Sequence, residues 1–292
     1  MAEGIVYING RLVVAQEAAL PVADHGFLYG YAIFETMRAC RGRLLFLERH
    51  MTRLLASAED LGIPAPTLDE LTDACYKVLA ANNLKNARLR LTVTRGEQAY
   101  PAPVFTGKPG MVITARPYVP LDTAIRPKGY RALVITVGER GGLLVGHKTA
   151  NYMANAIAQN RAFSEGFDEA LFLNGSREVT EGSASNVFLV PRDGEIITPP
   201  LTAGILPGIT RQIMIETAGD TGIFVEQRTV KARELAGAAG IFITNAVIGV
   251  MPLAAVVLEN GDEVRLPAVT ETDTVWKMVM AYENAVKHYL EG

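Results

Sequence analysis

Two cysteines, Cys40 and Cys75, are all that the 292 residues contain. That is too few for a disulfide framework, and neither belongs to a CxxC pair. Histidine is nearly as sparse: His25, His50, His147 and His288 are scattered without metal-ligand spacing, which argues against a histidine-based metal centre. Positive charge is not in excess either. Lys+Arg 28 against Asp+Glu 31 leaves −3 at pH 7, a field that does not hold a polyanion, so nucleic acid is not an expected partner. No apolar run reaches the roughly 18 residues needed to span a bilayer, so no membrane association is expected. The opening Met1-Ala2-Glu3-Gly4-Ile5-Val6-Tyr7 has no basic stretch leading into an apolar one, as a signal peptide would. GxxxxGK[ST], GxGxxG after a strand and GxSxG are all missing, which removes the common nucleotide-binding and serine-hydrolase signatures. The class that remains is a globular protein of a reducing compartment, expected in the cytoplasm.

Hydrophobic residues make up 49% and charged residues 20%, enough to bury a sizeable core, and the length suggests about two domains. Ile5-Val6-Tyr7-Ile8, Asn9-Gly10 and Leu12-Val13-Val14 read as a hairpin, because Asn-Gly accepts the positive φ values of a two-residue turn. Apolar residues recur at helical spacing over 46–61 until Gly62, Pro64 and Pro66 interrupt them. Thr67 and Glu70 form a capping box for a second helix carrying Leu68, Leu71, Cys75, Val78 and Leu79. Residues 87–94 alternate, with Leu89, Leu91 and Val93 on one face and Arg88, Arg90, Thr92 and Thr94 on the other, the pattern of a strand with a cationic side. A further strand is expected over 111–115.

Residues 116–129 hold Pro117, Pro120 and Pro127 and little periodicity, as a connecting segment would. The expected division is a small N-terminal domain over 1–118, a linker over 119–129 and a larger C-terminal domain over 130–292 that carries Lys148. Beyond the linker a strand is expected over 132–137 and a helix over 151–165. Hairpins follow over 170–180 and 187–198, then a helix from about Gly208, a strand over 241–244 and a closing helix over 272–290. Strands and helices mix without regular βαβ alternation, which argues for an α+β fold with largely antiparallel sheets.

Four features could carry chemistry. Leu206-Pro207-Gly208-Ile209-Thr210-Arg211 opens a helix whose unpaired N–H groups suit a phosphate. Arg53 is a candidate phosphate clamp on its helix. Lys148, between a glycine-containing loop and a helix, is placed where desolvation lowers an amine's pKa far enough for Schiff-base chemistry. Glu181, in a small polar loop, could keep a pyridinium nitrogen protonated. Each taken alone is matched by a bland reading as helix start, solvated cation or turn residue. Together they are the parts a pyridoxal phosphate site requires.

These residues, with Tyr7-Ile8-Asn9-Gly10, Asp24 to Gly30, Phe34-Glu35-Thr36-Met37-Arg38 and Glu48 to Leu54, resemble the fold type IV pyridoxal phosphate enzymes. That group comprises branched-chain aminotransferases, D-amino acid aminotransferases and aminodeoxychorismate lyases. The resemblance spans almost the whole chain. It implies a two-domain fold whose site a homodimer completes, with Lys148 forming the Schiff base and moving a proton. It further implies Glu181 at the pyridine nitrogen, Tyr152 near the ring oxygen, and Arg53 with the N–H groups of Ile209 and Thr210 on the phosphate. Tyr29, Phe34 and Arg90 resemble the branched-chain pattern of an aromatic pocket and a carboxylate-binding arginine, and the i, i+2 spacing of Arg88 and Arg90 on one strand face makes Arg88 a second expected carboxylate contact. Glu97-Gln98-Ala99-Tyr100 offers no Arg-x-His pair, which disfavours a D-specific enzyme. Thr36, Arg88 and Asn245-Ala246-Val247-Ile248 depart toward the lyase branch. The expected activity is amino transfer between an aliphatic amino acid and 2-oxoglutarate. The alternative is a lyase that releases pyruvate and 4-aminobenzoate.

Overall fold

A computed structural model describes residues 4–97, 108–120, 125–138, 141–193, 195–220, 222–271 and 273–292. Residues 98–100 of the motif after Gly96, 121–124 of the expected linker, Gly194 of the hairpin expected over 187–198 and Thr272 of the expected closing helix lie outside them. The chain divides into two compact units. One comprises 1–119 with 147–151, the other 120–146 with 152–292.

The first unit begins with the hairpin β1 (Ile5–Ile8) and β2 (Arg11–Val14), and Asn9 and Gly10 take φ of 47° and 91°, as that turn requires. A short helix α1 (His25–Tyr29) is capped by Asp24, whose side chain accepts the Gly26 N–H at 2.7 Å. The Thr94 hydroxyl donates to the same carboxylate at 2.6 Å and accepts the N–H groups of Gly96 and Gly110. Strands β3 (Ala32–Cys40) and β4 (Arg43–Leu44) follow. Next come helices α2 (Leu47–Asp60) and α3 (Leu68–Ala81), then β5 (Ala87–Thr94) and β6 (Met111–Pro117).

Phe46 precedes α2 in a left-handed conformation (φ 53°), so the helix starts one residue later than its apolar spacing suggests. The capping box of Thr67 and Glu70 is formed at both ends. The six strands make one antiparallel sheet in the order β2-β1-β6-β5-β3-β4. Ile33, Met37, Leu89, Leu91 and Ile113 face α2 and α3 and pack with Met51, Leu54, Leu71 and Val78. Successive strand residues alternate faces, so Phe34, Thr36, Arg38, Arg88, Arg90 and Thr92 lie on the other side.

The second unit opens with α4 (Ile125–Lys128), a helical turn inside the stretch expected to be linker. It continues with β7 (Tyr130–Thr136), α5 (Met153–Ser164), β8 (Glu169–Leu173) and β9 (Glu178–Gly182). After β10 (Asn186–Pro191) and β11 (Ile196–Thr198) come α6 (Ile209–Asp220), β12 (Val225–Gln227) and β13 (Val230–Lys231). The chain ends with β14 (Ala238–Asn245), β15 (Gly249–Val257), β16 (Glu263–Arg265) and α7 (Thr274–Glu291). The sheet order is β12-β11-β10-β14-β15-β7-β8-β9-β13, with β16 on β15. Most pairs are antiparallel, including both expected hairpins. β7 pairs in parallel with β8 and β15, and β11 with β12. Its core joins Val134, Leu171, Val187, Ile243, Met251 and Val256. Among the described residues no helix is long and apolar enough to cross a membrane.

Candidate active site

In the first unit the residues around Lys148 are held by main-chain bonds to the start of β3. The Phe34 N–H donates to the Lys148 carbonyl at 2.9 Å, and the Ala150 N–H donates to the Ala32 carbonyl at 2.8 Å. Ile33 and Thr149 form a β-bridge between them. His147 is turned away toward α2, its Nδ1 3.0 Å from the Ser57 hydroxyl. These bonds make residues 147–151, Lys148 among them, part of the N-terminal unit, although they follow the expected linker in sequence.

Pinned in this way, the Lys148 Nζ lies 4.6 Å from the centre of the Phe34 ring. The Arg90 guanidinium carbon sits 3.6 Å from the same centre, and Arg90 Nε donates to the Thr92 hydroxyl at 3.3 Å. One buried aromatic ring thus serves as the common platform for an amine and a guanidinium. Arg88 projects from the same face of β5 one pleat away and is exposed. Tyr29 ends α1 with its ring edge-on to His25 at 4.9 Å and is exposed.

Arg53 points at the helix-facing side of β3. Its Nε and Nη2 each donate to Glu35 at 2.7 Å, a bidentate pair, and His50 Nδ1 donates to Glu35 Oε2 at 2.7 Å. Burial pushes the fully enclosed Glu35 carboxyl up, but the charges of Arg53 and His50 and their hydrogen bonds outweigh it and hold its pKa at about 2. The sequence offers Arg53 as a phosphate clamp without saying what would orient it. Glu35 and His50 orient it, and the motifs assign a role to neither. A glutamate inside the apolar run Ala32-Ile33-Phe34-Glu35 is the available signal, because a charge buried in a strand demands a partner.

In the second unit the loop from Glu181 to Asn186 is organised by a residue that no motif singles out. Glu169, at the start of β8, accepts hydrogen bonds from the Ser183 hydroxyl, the Ser185 hydroxyl (2.8 Å) and the Ala170 N–H (2.9 Å). Burial raises its pKa, and these bonds offset only part of the rise. The Ser183 carbonyl in turn accepts from the Tyr152 hydroxyl at 2.6 Å and from Asn155 Nδ2 at 2.8 Å. Glu181 is buried, and its Oε2 accepts the Leu206 N–H at 2.9 Å. Glu181, Tyr152 and the approach to α6 are therefore linked through the loop.

The approach to α6 suits a phosphate-bearing cofactor. The Gln212 N–H donates to the Gly208 carbonyl and opens the helical ladder, so the N–H groups of Ile209 and Thr210 precede it. A Cβ on Gly208 would collide with Asn186 Oδ1, and Asn186 Nδ2 donates to the Leu206 carbonyl. Asn186 pairs across the sheet with Thr244, whose buried hydroxyl finds no partner among the described residues. Asn245, expected in the departing loop, accepts the N–H groups of Val247 and Ile248 at 2.9 Å and closes the β14–β15 turn.

An amine beside an aromatic ring, a buried acid and a helix start made for an anion define the equipment of a pyridoxal phosphate enzyme. The model of the amino-transferase class IV family matches residues 32–256, and the chain belongs to that family, with pyridoxal phosphate as its cofactor. A curated relative from Methanocaldococcus jannaschii, "Putative branched-chain-amino-acid aminotransferase", is 36% identical, covering 85% of this chain and 86% of its own. The aminodeoxychorismate lyase of Bacillus subtilis is 31% identical, covering 85% of each. The solved branched-chain aminotransferase of the archaeon Thermoproteus uzoniensis, with norvaline, is 30% identical, with a TM-score of 0.85 over 99% of this chain and 98% of its own.

Proposed function

We propose that this enzyme transfers an amino group between an aliphatic, branched-chain-like amino acid and 2-oxoglutarate. The observation that carries the proposal is the Phe34 platform, where an apolar ring wall, the Lys148 amine and the Arg90 guanidinium stand together. An aliphatic side chain fits against the ring and a carboxylate fits the guanidinium. The Methanocaldococcus jannaschii relative supports the same substrate class.

When bound, pyridoxal phosphate supplies an electron-withdrawing ring that stabilises negative charge on the carbon bearing the amino group. In this proposal Lys148 Nζ binds the cofactor covalently and moves the proton at that carbon. Glu181 keeps a proton on the ring nitrogen, and Tyr152, oriented by the Ser183 carbonyl, serves the ring oxygen. Ile209 and Thr210 hold the phosphate through their N–H groups. Arg53 adds charge, and Glu35 fixes the plane of its guanidinium. Tyr29 and Phe34 bound the side-chain pocket, and Arg88 and Arg90 take carboxylates. A homodimer and a cytoplasmic location belong to the same reading.

A second reading, aminodeoxychorismate lyase, draws on Thr36 beside Arg90 in the sheet and on the Bacillus subtilis relative. One experiment separates the two. Protein supplied with pyridoxal phosphate is assayed for glutamate formation from L-leucine and 2-oxoglutarate, and for 4-aminobenzoate release from aminodeoxychorismate. Glutamate alone is expected, and Lys148→Ala abolishes both the cofactor's absorption band and turnover. Release of 4-aminobenzoate without glutamate overturns the assignment.

A further inference from the structure

On the sheet face that carries Phe34 and Arg90, the register sets three arginines side by side. Arg38 on β3 is directly opposite Arg88 on β5, and Arg88 is directly opposite Arg116 on β6. Directly opposed side chains share a face and stand about 5 Å apart at Cβ, where like charges repel. Among the described residues, none of the three has an ion pair. Arg126, Arg131, Arg161 and Arg265, by contrast, each reach a glutamate.

Arg38 is the most telling member. It is only 8% exposed, its Nε has no hydrogen-bond partner among the described residues, and its guanidinium carbon lies 4.9 Å from the centre of the Tyr118 ring. A buried guanidinium with an unmet donor, backed by two more guanidinia and without an ion pair among the described residues, is a costly arrangement unless an anion completes it. A nucleic acid would need far more cationic surface than this row offers, and the net charge is −3. A small anion fits.

We infer that Arg38, Arg88 and Arg116 form a second anion subsite that receives a carboxylate of the substrate. This deepens the proposed function and rests on it. One strand pleat, about 7 Å, separates the row from Arg90 along β5, the scale of the span between the carboxylates of a short aliphatic diacid. Arg90, seated on Phe34 beside Lys148, takes one carboxylate and the row takes the other. The substrate class of this subsite is the dicarboxylic 2-oxo acids and their amino forms, selected over monocarboxylic ones. Arg88 and Arg90, two residues apart on one strand, thus serve different ends of one molecule.

The test uses the cofactor-loaded enzyme and Arg116→Gln, an exposed position whose substitution leaves the core intact, with Arg88→Gln as a second variant. Melting is followed with glutarate, a diacid that cannot react, with valerate, and with sodium phosphate at equal ionic strength. Glutarate is expected to raise the wild-type melting temperature well beyond the smaller rise that valerate gives through Arg90 alone. Without ligand, each variant should melt at or above the wild type because a repulsion is relieved, and each should lose the glutarate response. In kinetics, KM for 2-oxoglutarate should rise about tenfold relative to KM for pyruvate, the fold-change of one lost charge-assisted hydrogen bond. The inference is overturned if the variants keep the glutarate response, if KM rises equally for both acids, or if phosphate reproduces the full shift. Because melting needs no turnover, a glutarate response without glutamate formation from leucine sinks the aminotransferase reading and leaves the subsite standing.

Discussion

Each unit buries a glutamate that has no proposed contact with substrate or cofactor, and the two are kept in different ways. Glu35 in the first unit is clasped by a guanidinium and an imidazole and has its pKa drawn down to about 2. Glu169 in the second unit meets only hydroxyls and N–H groups, and burial carries its pKa up. The lesson is that enclosure does not decide the charge of an acid. The partner does, and the kind of partner follows from the job: Glu35 orients a cation, whereas Glu169 orders a loop of neutral groups.

The largest effect should come from removing the clasp. Glu35→Ala removes the carboxylate that both Arg53 and His50 clasp and is expected to cost about 3–5 kcal/mol in urea unfolding. A loss below about 1 kcal/mol would show that the pair is idle. The next effect is a pH dependence. A carboxyl lowered from 4.5 to about 2 stabilises the fold above the higher value, and that contribution disappears as pH falls through the window between them. The stability difference between wild type and Glu35→Gln should therefore shrink by about 3 kcal/mol across that window.

The smallest effect belongs to Glu169→Gln. The replacement keeps the shape, and a serine hydroxyl can rotate from donor to acceptor, so the cost should be about 1 kcal/mol. Its trend has the opposite sign. An acid with a raised pKa contributes most below its unfolded value and loses that contribution as pH rises, so the gap between wild type and Glu169→Gln should narrow toward neutral pH. A gap that widens instead would mean that Glu169 is held as a carboxylate, and the contrast between the units would collapse.

What can be read from sequence follows the same divide between local and distant causes. The Asn9-Gly10 turn and the Thr67–Glu70 box are decided within four residues, and the structure forms both. β15 is hidden in the sequence because its run Gly249 to Val257 is apolar throughout and contains Pro252, which argues against a central strand. Pairing with β7 begins only at Leu253, so Pro252 owes that neighbour no hydrogen bond. The lysine, the Glu181 loop and the α6 start are visible because each lies in a contiguous motif. Glu35 with Arg53, and Glu169 with Ser183, are joined across 18 and 14 residues, and only folding brings such partners together. The arginine row is half visible: i, i+2 spacing gives Arg88 and Arg90, but Arg38 and Arg116 join through register across two other strands.

The stitches that tie the chain on either side of position 148 to β3 run through amide and carbonyl groups, and the side chains of His147 and Asn151 add bonds to Ser57 and to the Gly30 carbonyl. Neighbouring residue types can therefore drift over evolutionary time without displacing the reactive nitrogen, while a single inserted residue between 146 and 152, or a proline at 34 or 150, would break the seam. Homologous chains that keep chemistry here should vary more in composition along this stretch than in length.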